Sequence, residues 1–257
     1  MASTTQSQKA TVLAAPDLGQ LGDVLQRLLV RQRDLNQSIL GDDWNTIALD
    51  PNSNVKYAIV AVEDFWVYLN YIHYKWWKPS KGRIVRSELR FILIDILSAL
   101  LSLYLLAAGL ESASKKHGSR LGQQLVNALP AQRPLPASTT DRMAVVSRAA
   151  HGILSPGDTG LLPAFSEWLR LWLSHGLSVQ DIEVTYVTKN VLTKFRQEHG
   201  YKNGSYQTRW VGNKKDEDLL LDWLDGWSKL PTDKAIMKWL TATYFDSLKK
   251  AYLNSAG

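Results

Sequence analysis

The stretch from Ile84 to Gly109, IVRSELRFILIDILSALLSLYLLAAG, constrains the fold most, because it is the most apolar part of the chain and still contains Asp95. Between Phe91 and Leu110 no other residue carries a charge. An isolated buried carboxylate is very costly, so Asp95 must be neutralised, paired or bound to a cation. The run is long enough to span a bilayer, but a carboxylate inside lipid is expensive. We therefore expect a central helix surrounded by other helices, and no membrane partner.

The composition limits the chemistry that this chain can support. Its 257 residues include no cysteine and five histidines without close spacing, which excludes thiolate chemistry and disfavours zinc. The formal net charge of +6 favours an anionic partner such as a nucleotide or a nucleic acid. Residues 1–15 are predicted to be a disordered tail, and residues 16–257 a single domain with a proline-rich loop near 130–138. No secretory signal is recognised at the N-terminus, so we expect a cytoplasmic protein, or a virion-associated one if the source is viral.

Apolar residues recur at helical spacing through the chain, and no strand-like alternation of useful length occurs. We predict an all-α array of about eight helices. The first opens at Pro16 and Asp17 and ends at Gly41. The second, from about 54 to 77, is apolar nearly all round, which is typical of a central helix. Later helices are predicted at about 140–154, 161–176, 178–200, 216–230 and 232–253.

Polar residues interrupt the first helices at a few positions. Gln32 and Asn36 lie four residues apart and share a helix face, which by itself is typical of two solvated side chains. Asp64, next to Glu63, lies in the second helix, and a short turn joins that helix to the one that carries Asp95. Buried helices joined by a short turn are usually antiparallel neighbours, so Asp64 and Asp95 can face each other.

A basic stretch follows from Ser178 to Gly212. Ser178 is a predicted N-cap with Asp181 three residues later, and Gly200 a predicted helix end. Seven basic residues lie between Tyr186 and Lys215, with Glu198 as the only acid: Lys189, Lys194, Arg196, Lys202, Arg209, Lys214 and Lys215. Cations, backbone N–H groups and tyrosines suit a polyphosphate, although the same pattern is also typical of a solvated basic surface.

Several of these segments together resemble the all-α dimeric dUTPases, relatives of the MazG-type nucleotide pyrophosphohydrolases. They are Gln32-xxx-Asn36, Trp44, YKWWK, LRFILIDILSALLS and KNVLTKFRQEHGYKNGSYQTRWVG. The resemblance implies a homodimer whose first helix recognises uracil through a glutamine and an asparagine. It also implies magnesium ions held by ExxE and ExxD motifs on the next two helices.

The metal motifs are incomplete in this chain. ExxE falls on Asp64 to Val67, and ExxD on Ile92 to Asp95, so only Asp64 and Asp95 remain as metal residues and two positions have no ligand. Magnesium is often held by one or two carboxylates together with phosphates and water, so a weak residual site is conceivable, whereas a multi-metal cluster is not. Glu63 and Glu88 are the nearest spare carboxylates, and neither repairs the site.

The resemblance also implies which residues contact a nucleotide. Those assigned to the base are Gln32, Asn36, Trp44 and Asn190. Those assigned to phosphates or nucleic acid are Lys189, Arg196, Tyr201, Lys202, Tyr206 and Arg209. Two departures weaken the base contacts: Thr193 replaces the family's second asparagine, and Lys215, Asp216 and Glu217 replace its next acidic element.

Three functions are compatible with these observations. The chain could be a dUTPase-like protein with a degraded magnesium site, catalytically weak or inactive and reused to bind nucleotide or RNA phosphates, for example as a nucleocapsid-like structural subunit. It could be an active magnesium-dependent dUTP or dUDP diphosphatase that produces dUMP. It could be a membrane protein anchored by residues 91–110. The two missing carboxylates favour the first.

Overall fold

The computed structural model describes residues 19–41, 44, 51–75, 85–108, 115–128, 135–154, 161–224 and 230–255. These residues form α-helices and contain no strand, only an isolated antiparallel bridge between Arg209 and Lys215. The helices are α1 Leu21–Leu40, α2 Pro51–Tyr71, α3 Arg86–Ala108, α4 Lys115–Ala128, α5 Thr139–Leu154, α6 Leu161–Ser174, α7 Val179–Glu198, α8 Asp216–Leu224 and α9 Asp233–Ser255. A short 3-10 turn, Val211–Asn213, precedes α8. The all-α prediction is therefore confirmed.

Helix α3 is the central element, as its apolar sequence predicts. It packs against α1, α2, α6, α7 and α8. The helix is long enough to cross a membrane, and an 18-residue window within it has a mean hydropathy of 2.3. However, 61% of that window is buried inside the protein. A core helix passes the same test, so these properties are no evidence of a membrane.

Two hydrophobic clusters meet at α3 and α7. Most of α3 lies in the larger cluster with α1, α2, α5 and α6, whereas Phe91 belongs to the smaller one with α8 and α9. On α7, Tyr186 packs into the larger cluster and Val191 into the smaller one. Lys189 and Asn190 lie between Tyr186 and Val191 in the sequence of α7. Their polar side chains are therefore placed where the two clusters meet.

Local signals set several helix ends where the sequence predicts them. Gly41 ends α1 with φ 92°, a conformation that favours glycine, and its N–H donates to the carbonyl of Gln37. Ser178 and Asp181 form a complete capping box at the start of α7, and Gly200 follows the end of that helix with φ 91°.

Other helix ends differ from the prediction. Helix α2 ends at Tyr71 and not near residue 77, because the chain turns at His73, which has φ 57°. Helix α8 is described as far as Leu224, and residues 225–229 of its predicted range lie outside the described residues. The predicted disordered tail, the helix start at Pro16 and Asp17, and residues 130–134 of the proline-rich loop lie outside the described residues.

Candidate functional site

A pocket of about 380 Å³ opens between α1, α2, α3 and α7. Its lining includes residues from helices far apart in the sequence. Six of the residues singled out from the sequence line it: Gln32, Asn36, Asp64, Asp95, Lys189 and Asn190. The volume is in the range of ordinary small-molecule sites. The structure thus gathers the predicted amides and carboxylates around one cavity.

Gln32 and Asn36 form one wall of this pocket and are held by a chain of hydrogen bonds. Gln32 Nε2 donates to Asn36 Oδ1 at 2.8 Å, and Asn36 Nδ2 donates to Ser102 Oγ at 3.1 Å. Tyr186 Oη donates a short hydrogen bond to Gln32 Oε1. Only 4% of Gln32 and 6% of Asn36 is exposed, so these are not two solvated polar residues. The network fixes the orientation of both amides before any ligand arrives.

Asn190 lies on the opposite helix and is incompletely paired. Its side chain donates from Nδ2 to the carbonyl of Arg31 at 3.5 Å, whereas no donor in the described part of the chain reaches Oδ1. A buried acceptor without a partner costs roughly 1–3 kcal/mol. Asn190 thus brings to the pocket lining an acceptor that no described protein group pairs with.

Asp95 and Lys189 form the charged floor of the pocket. Lys189 Nζ lies 3.2 Å from Asp95 Oδ2 and 2.9 Å from Glu217 Oε1. The Asp95 side chain is 41% exposed where it lines the pocket, and the protein surrounds it on its remaining sides. Burial therefore raises the pKa of Asp95, and the charge of Lys189 only partly offsets this effect. The predicted buried carboxylate is thus paired, with a lysine from α7.

Asp64 lies across the pocket from this pair and is only half-buried. Burial, followed by the charges of Asp95 and Glu63, raises its pKa to about 7. Asp64 and Asp95 line the same pocket from α2 and α3, which pack against each other, as expected for two neighbouring helices joined by a short turn.

The residues present do not fit a multi-metal centre. Val67 points outward, with 45% of it exposed, and Ile92 packs against the larger hydrophobic cluster. Within the described ranges no group of three His, Cys, Asp or Glu residues lies close enough to hold a metal ion. Asp95 is also already paired with a lysine.

Arg196 does not line the pocket, and its donors are used inside the protein. It donates to Asp216 at 2.9 and 2.7 Å and to Glu217 at 2.9 Å. Burial opposes its charge, but these acids outweigh burial and raise the pKa of Arg196. Tyr206 is also buried, and its hydroxyl donates to Asp216 at 2.7 Å. In this arrangement both residues hold the segment before α8 against α7 and are not presented to a phosphate.

The rest of the basic stretch is largely paired as well. Lys214 contacts Asp222, and Lys215 contacts Glu88 on α3. Lys202 Nζ donates to the carbonyl of Ile39 at 2.8 Å, and Arg209 Nη1 to that of Asn213 at 2.9 Å. Tyr201 is 49% exposed, with the Arg196 guanidinium 5.9 Å from its ring centroid. The excess of positive charge that the sequence indicates here is therefore offset by acids from α3 and α8.

Trp44 lies away from the pocket. It is 2% exposed and packs in the larger hydrophobic cluster. The base-binding role that the resemblance implies for Trp44 stays a prediction, and its indole would contact a ligand only after the core residues around it moved. Thr193, at the position of the family's second asparagine, does line the pocket.

Sequence reasoning missed several residues that shape the site. Tyr186 lies three residues before Lys189, and Ser98 and Ser102 follow Asp95 by three and seven residues, so helical spacing could have placed all of them on the pocket side. Glu217 comes from α8 and contacts Lys189 from a distance of 28 residues along the chain. No local pattern indicates that contact.

A protein-family model described as dUTPase matches residues 24–201. The match covers more than two thirds of the chain and all of the pocket-lining residues named above, while Asp216 and Glu217 lie beyond it. The chain therefore belongs to the all-α dimeric dUTPase family. No curated protein matches it.

Proposed function

We propose that the pocket binds a nucleotide through its amide wall and that the protein hydrolyses nucleoside triphosphates poorly or not at all. The observation that carries this proposal is the Gln32–Asn36 pair, fixed between Tyr186 and Ser102 in a cavity with only two carboxylates. Fixed amide groups suit the hydrogen-bonding edge of a base, because their donors and acceptors are already oriented.

The weak hydrolysis follows from the missing ligands. Metal-assisted phosphate chemistry needs one or more ions that both activate water and stabilise the leaving group. Val67 and Ile92 offer no oxygen to such ions, and Asp95 is neutralised by Lys189. A working diphosphatase is therefore the less supported alternative.

The test combines calorimetry with product analysis. Purified protein is titrated with dUTP and dUMP, and the release of pyrophosphate or phosphate is followed with magnesium present. We expect binding of both nucleotides and a turnover far below the ordinary range of about 1–1000 per second. Turnover within that range would restore the enzyme alternative, and a lack of binding would refute the pocket as a nucleotide site.

A pair of variants makes the binding test specific. Gln32→Met removes an amide from the pocket wall, whereas Gln180→Met makes the same change at an exposed position of α7. We expect nucleotide affinity to fall only in the first. Circular dichroism on both variants shows whether the fold is retained.

RNA binding is less well supported than binding of a single nucleotide. Most cations of the basic stretch are paired with acids or carbonyls, so few remain to follow a phosphate backbone. Each phosphate contact with single-stranded RNA would add about −0.7 to the slope of log affinity against log salt concentration. A steep slope together with affinity that grows with oligonucleotide length would favour the nucleoprotein alternative.

We also propose that the protein forms a homo-oligomer, because it belongs to a dimeric family. Light scattering coupled to size exclusion measures this directly against the chain mass of 28.9 kDa. A mass of one chain at micromolar concentration would argue against it.

A further inference from the structure

Lys189 of α7 lies in a cradle formed by residues of α3 and α8. Its ammonium is 3.2 Å from Asp95 on α3 and 2.9 Å from Glu217 on α8, and it lies 4.9 Å from the ring centroid of Phe91. Only 13% of the side chain is exposed. A cation with two carboxylates and an aromatic face as neighbours is well stabilised even where water is scarce.

The cradle is fixed from the side away from the pocket. Arg196 donates to Glu217 Oε1 at 2.9 Å, and Glu217 N donates to Asp216 Oδ1 at 2.9 Å. Burial raises the pKa of Glu217, but Lys189 and Arg196 outweigh it and keep that pKa low, so Glu217 stays charged. Glu217 therefore cannot swing freely toward a competing ion while Arg196 holds it.

We propose that Lys189 is the resident cation of this pocket: its ammonium fills the space between Asp95 and Glu217 that a divalent ion would otherwise occupy. The site is thereby closed to magnesium, and its ligand binds without a metal. The exclusion of metal is independent of the proposed function. The metal-free binding of a nucleotide, in contrast, rests on the proposed function.

Two distances support the exclusion. Magnesium requires oxygen ligands at about 2.0–2.1 Å, and calcium at about 2.3–2.6 Å. The Asp95 and Glu217 oxygens surround a nitrogen at 3.2 and 2.9 Å, so a metal would have to displace the ammonium and draw both carboxylates inward. Removing the lysine should therefore let the two carboxylates, Asp95 and Glu217, hold a cation between them.

The first experiment measures metal binding alone. Manganese, as a spectroscopic substitute for magnesium, is titrated into wild type, Lys189→Gln and Lys238→Gln, with free ion followed by electron paramagnetic resonance. Lys238 is exposed on α9 and controls for the loss of one positive charge. We expect Lys189→Gln to bind manganese at least about tenfold more tightly than the other two proteins, since charge count tunes such sites.

Each outcome of this titration decides the proposal. Tight manganese binding by wild type that is lost in Asp95→Asn would overturn it, because the pocket would then accept metal despite Lys189. If Lys189→Gln binds manganese no more tightly than Lys238→Gln, the proposal is also overturned, because Lys189 would then form an ordinary ion pair that does not exclude metal. If Lys189→Gln does not fold, Lys189→Met, which keeps an unbranched side chain beside Phe91, is used in the same titration with the same expectation and the same overturning outcome.

The second experiment measures ligand binding without metal. Wild type is titrated with dUMP in the presence of EDTA and again with excess magnesium, and we expect the two affinities to agree within about twofold, or roughly 0.4 kcal/mol. A strict requirement for magnesium would refute the resident cation while leaving the nucleotide pocket intact. Absence of dUMP binding in both buffers would refute the proposed function, and the manganese titration would still decide the role of Lys189.

Discussion

Arg196 donates two hydrogen bonds to Asp216, at 2.9 and 2.7 Å, and the Asp216 side chain is only 1% exposed. The same carboxylate accepts from Tyr206 Oη at 2.7 Å and from the N–H of Glu217 at 2.9 Å. Its charge is thus fully solvated by protein groups. This cluster joins the start of α8 to the end of α7 and orients Glu217 toward Lys189.

Removing Arg196 should destabilise the protein, because Asp216 would stay buried without its cationic partner. We expect Arg196→Met to lower the free energy of unfolding by about 3–5 kcal/mol, because an unpaired carboxylate would remain in the interior. Urea denaturation followed by circular dichroism measures the change. Lys214→Met is the control, since Lys214 and Asp222 are both more than half exposed and such pairs contribute about 0–1 kcal/mol. Equal losses in the two variants would contradict the role given to this cluster.

Helices α1 and α4 approach closely because glycines lie at their crossing. A Cβ at Gly122 would lie 2.3 Å from the Cα of Gly22, and one at Gly118 would lie 2.2 Å from the Cα of Gln26. We expect Gly122→Ala to destabilise the protein by at least about 1–3 kcal/mol, because the helices must separate. Thermal unfolding checks this, with Gly19→Ala, where a Cβ meets nothing within 4 Å, as the matched control. An unchanged midpoint for Gly122→Ala would show that the crossing is looser than the structure indicates.

Tyr186 supports the amide wall from within the core. Tyr186→Phe deletes the hydroxyl that donates to Gln32 Oε1 and leaves a buried acceptor without that partner. We expect a loss of roughly 1–3 kcal/mol in stability. Tyr201→Phe, at a half-exposed position, should cost far less. Chemical denaturation of both variants gives the comparison, and similar small losses would mean that Gln32 finds another donor.

His175 should make the stability depend on pH. Burial and the nearby charge of Arg142 lower its pKa from 6.5 to about 4, and its Nε2 lies 2.9 Å from Tyr68 Oη. Between these values the unfolded chain binds a proton at His175 that the folded chain does not, so the contribution of His175 to stability falls as pH falls from about 6.5 to 4, whereas the raised pKa of Asp64 acts in the opposite direction over the same range. The expected loss is about 2–3 kcal/mol.

The measurement for His175 is a series of urea titrations across that range of pH. His175→Gln should remove this part of the slope, whereas His151→Gln, at an exposed position, should follow wild type. A wild-type slope that His175→Gln leaves unchanged would assign the pH dependence to other groups.

Local sequence determined the helical class and several helix ends. Three local features act over short stretches of the chain: the apolar run of α3, the capping box of Ser178 and Asp181, and the glycine that ends α1. Their effects can therefore be predicted from the sequence. The spacing of Gln32 and Asn36 predicts that the two amides share one helix face, and both line the same pocket. The core position of Trp44 was not predicted, because a loop tryptophan carries no sign of where its ring packs.

Only the tertiary structure decided how the charges are paired. The sequence shows a basic stretch with one acid, yet the partners of Lys189 are Asp95, 94 residues earlier, and Glu217, 28 residues later, while Lys215 pairs with Glu88, 127 residues away. Electrostatic attraction acts through space, and a count of charges along the chain records only neighbours in sequence. The helical packing that buries α3 also brings Lys189 to Asp95, and only the tertiary structure shows that this carboxylate is paired with a lysine.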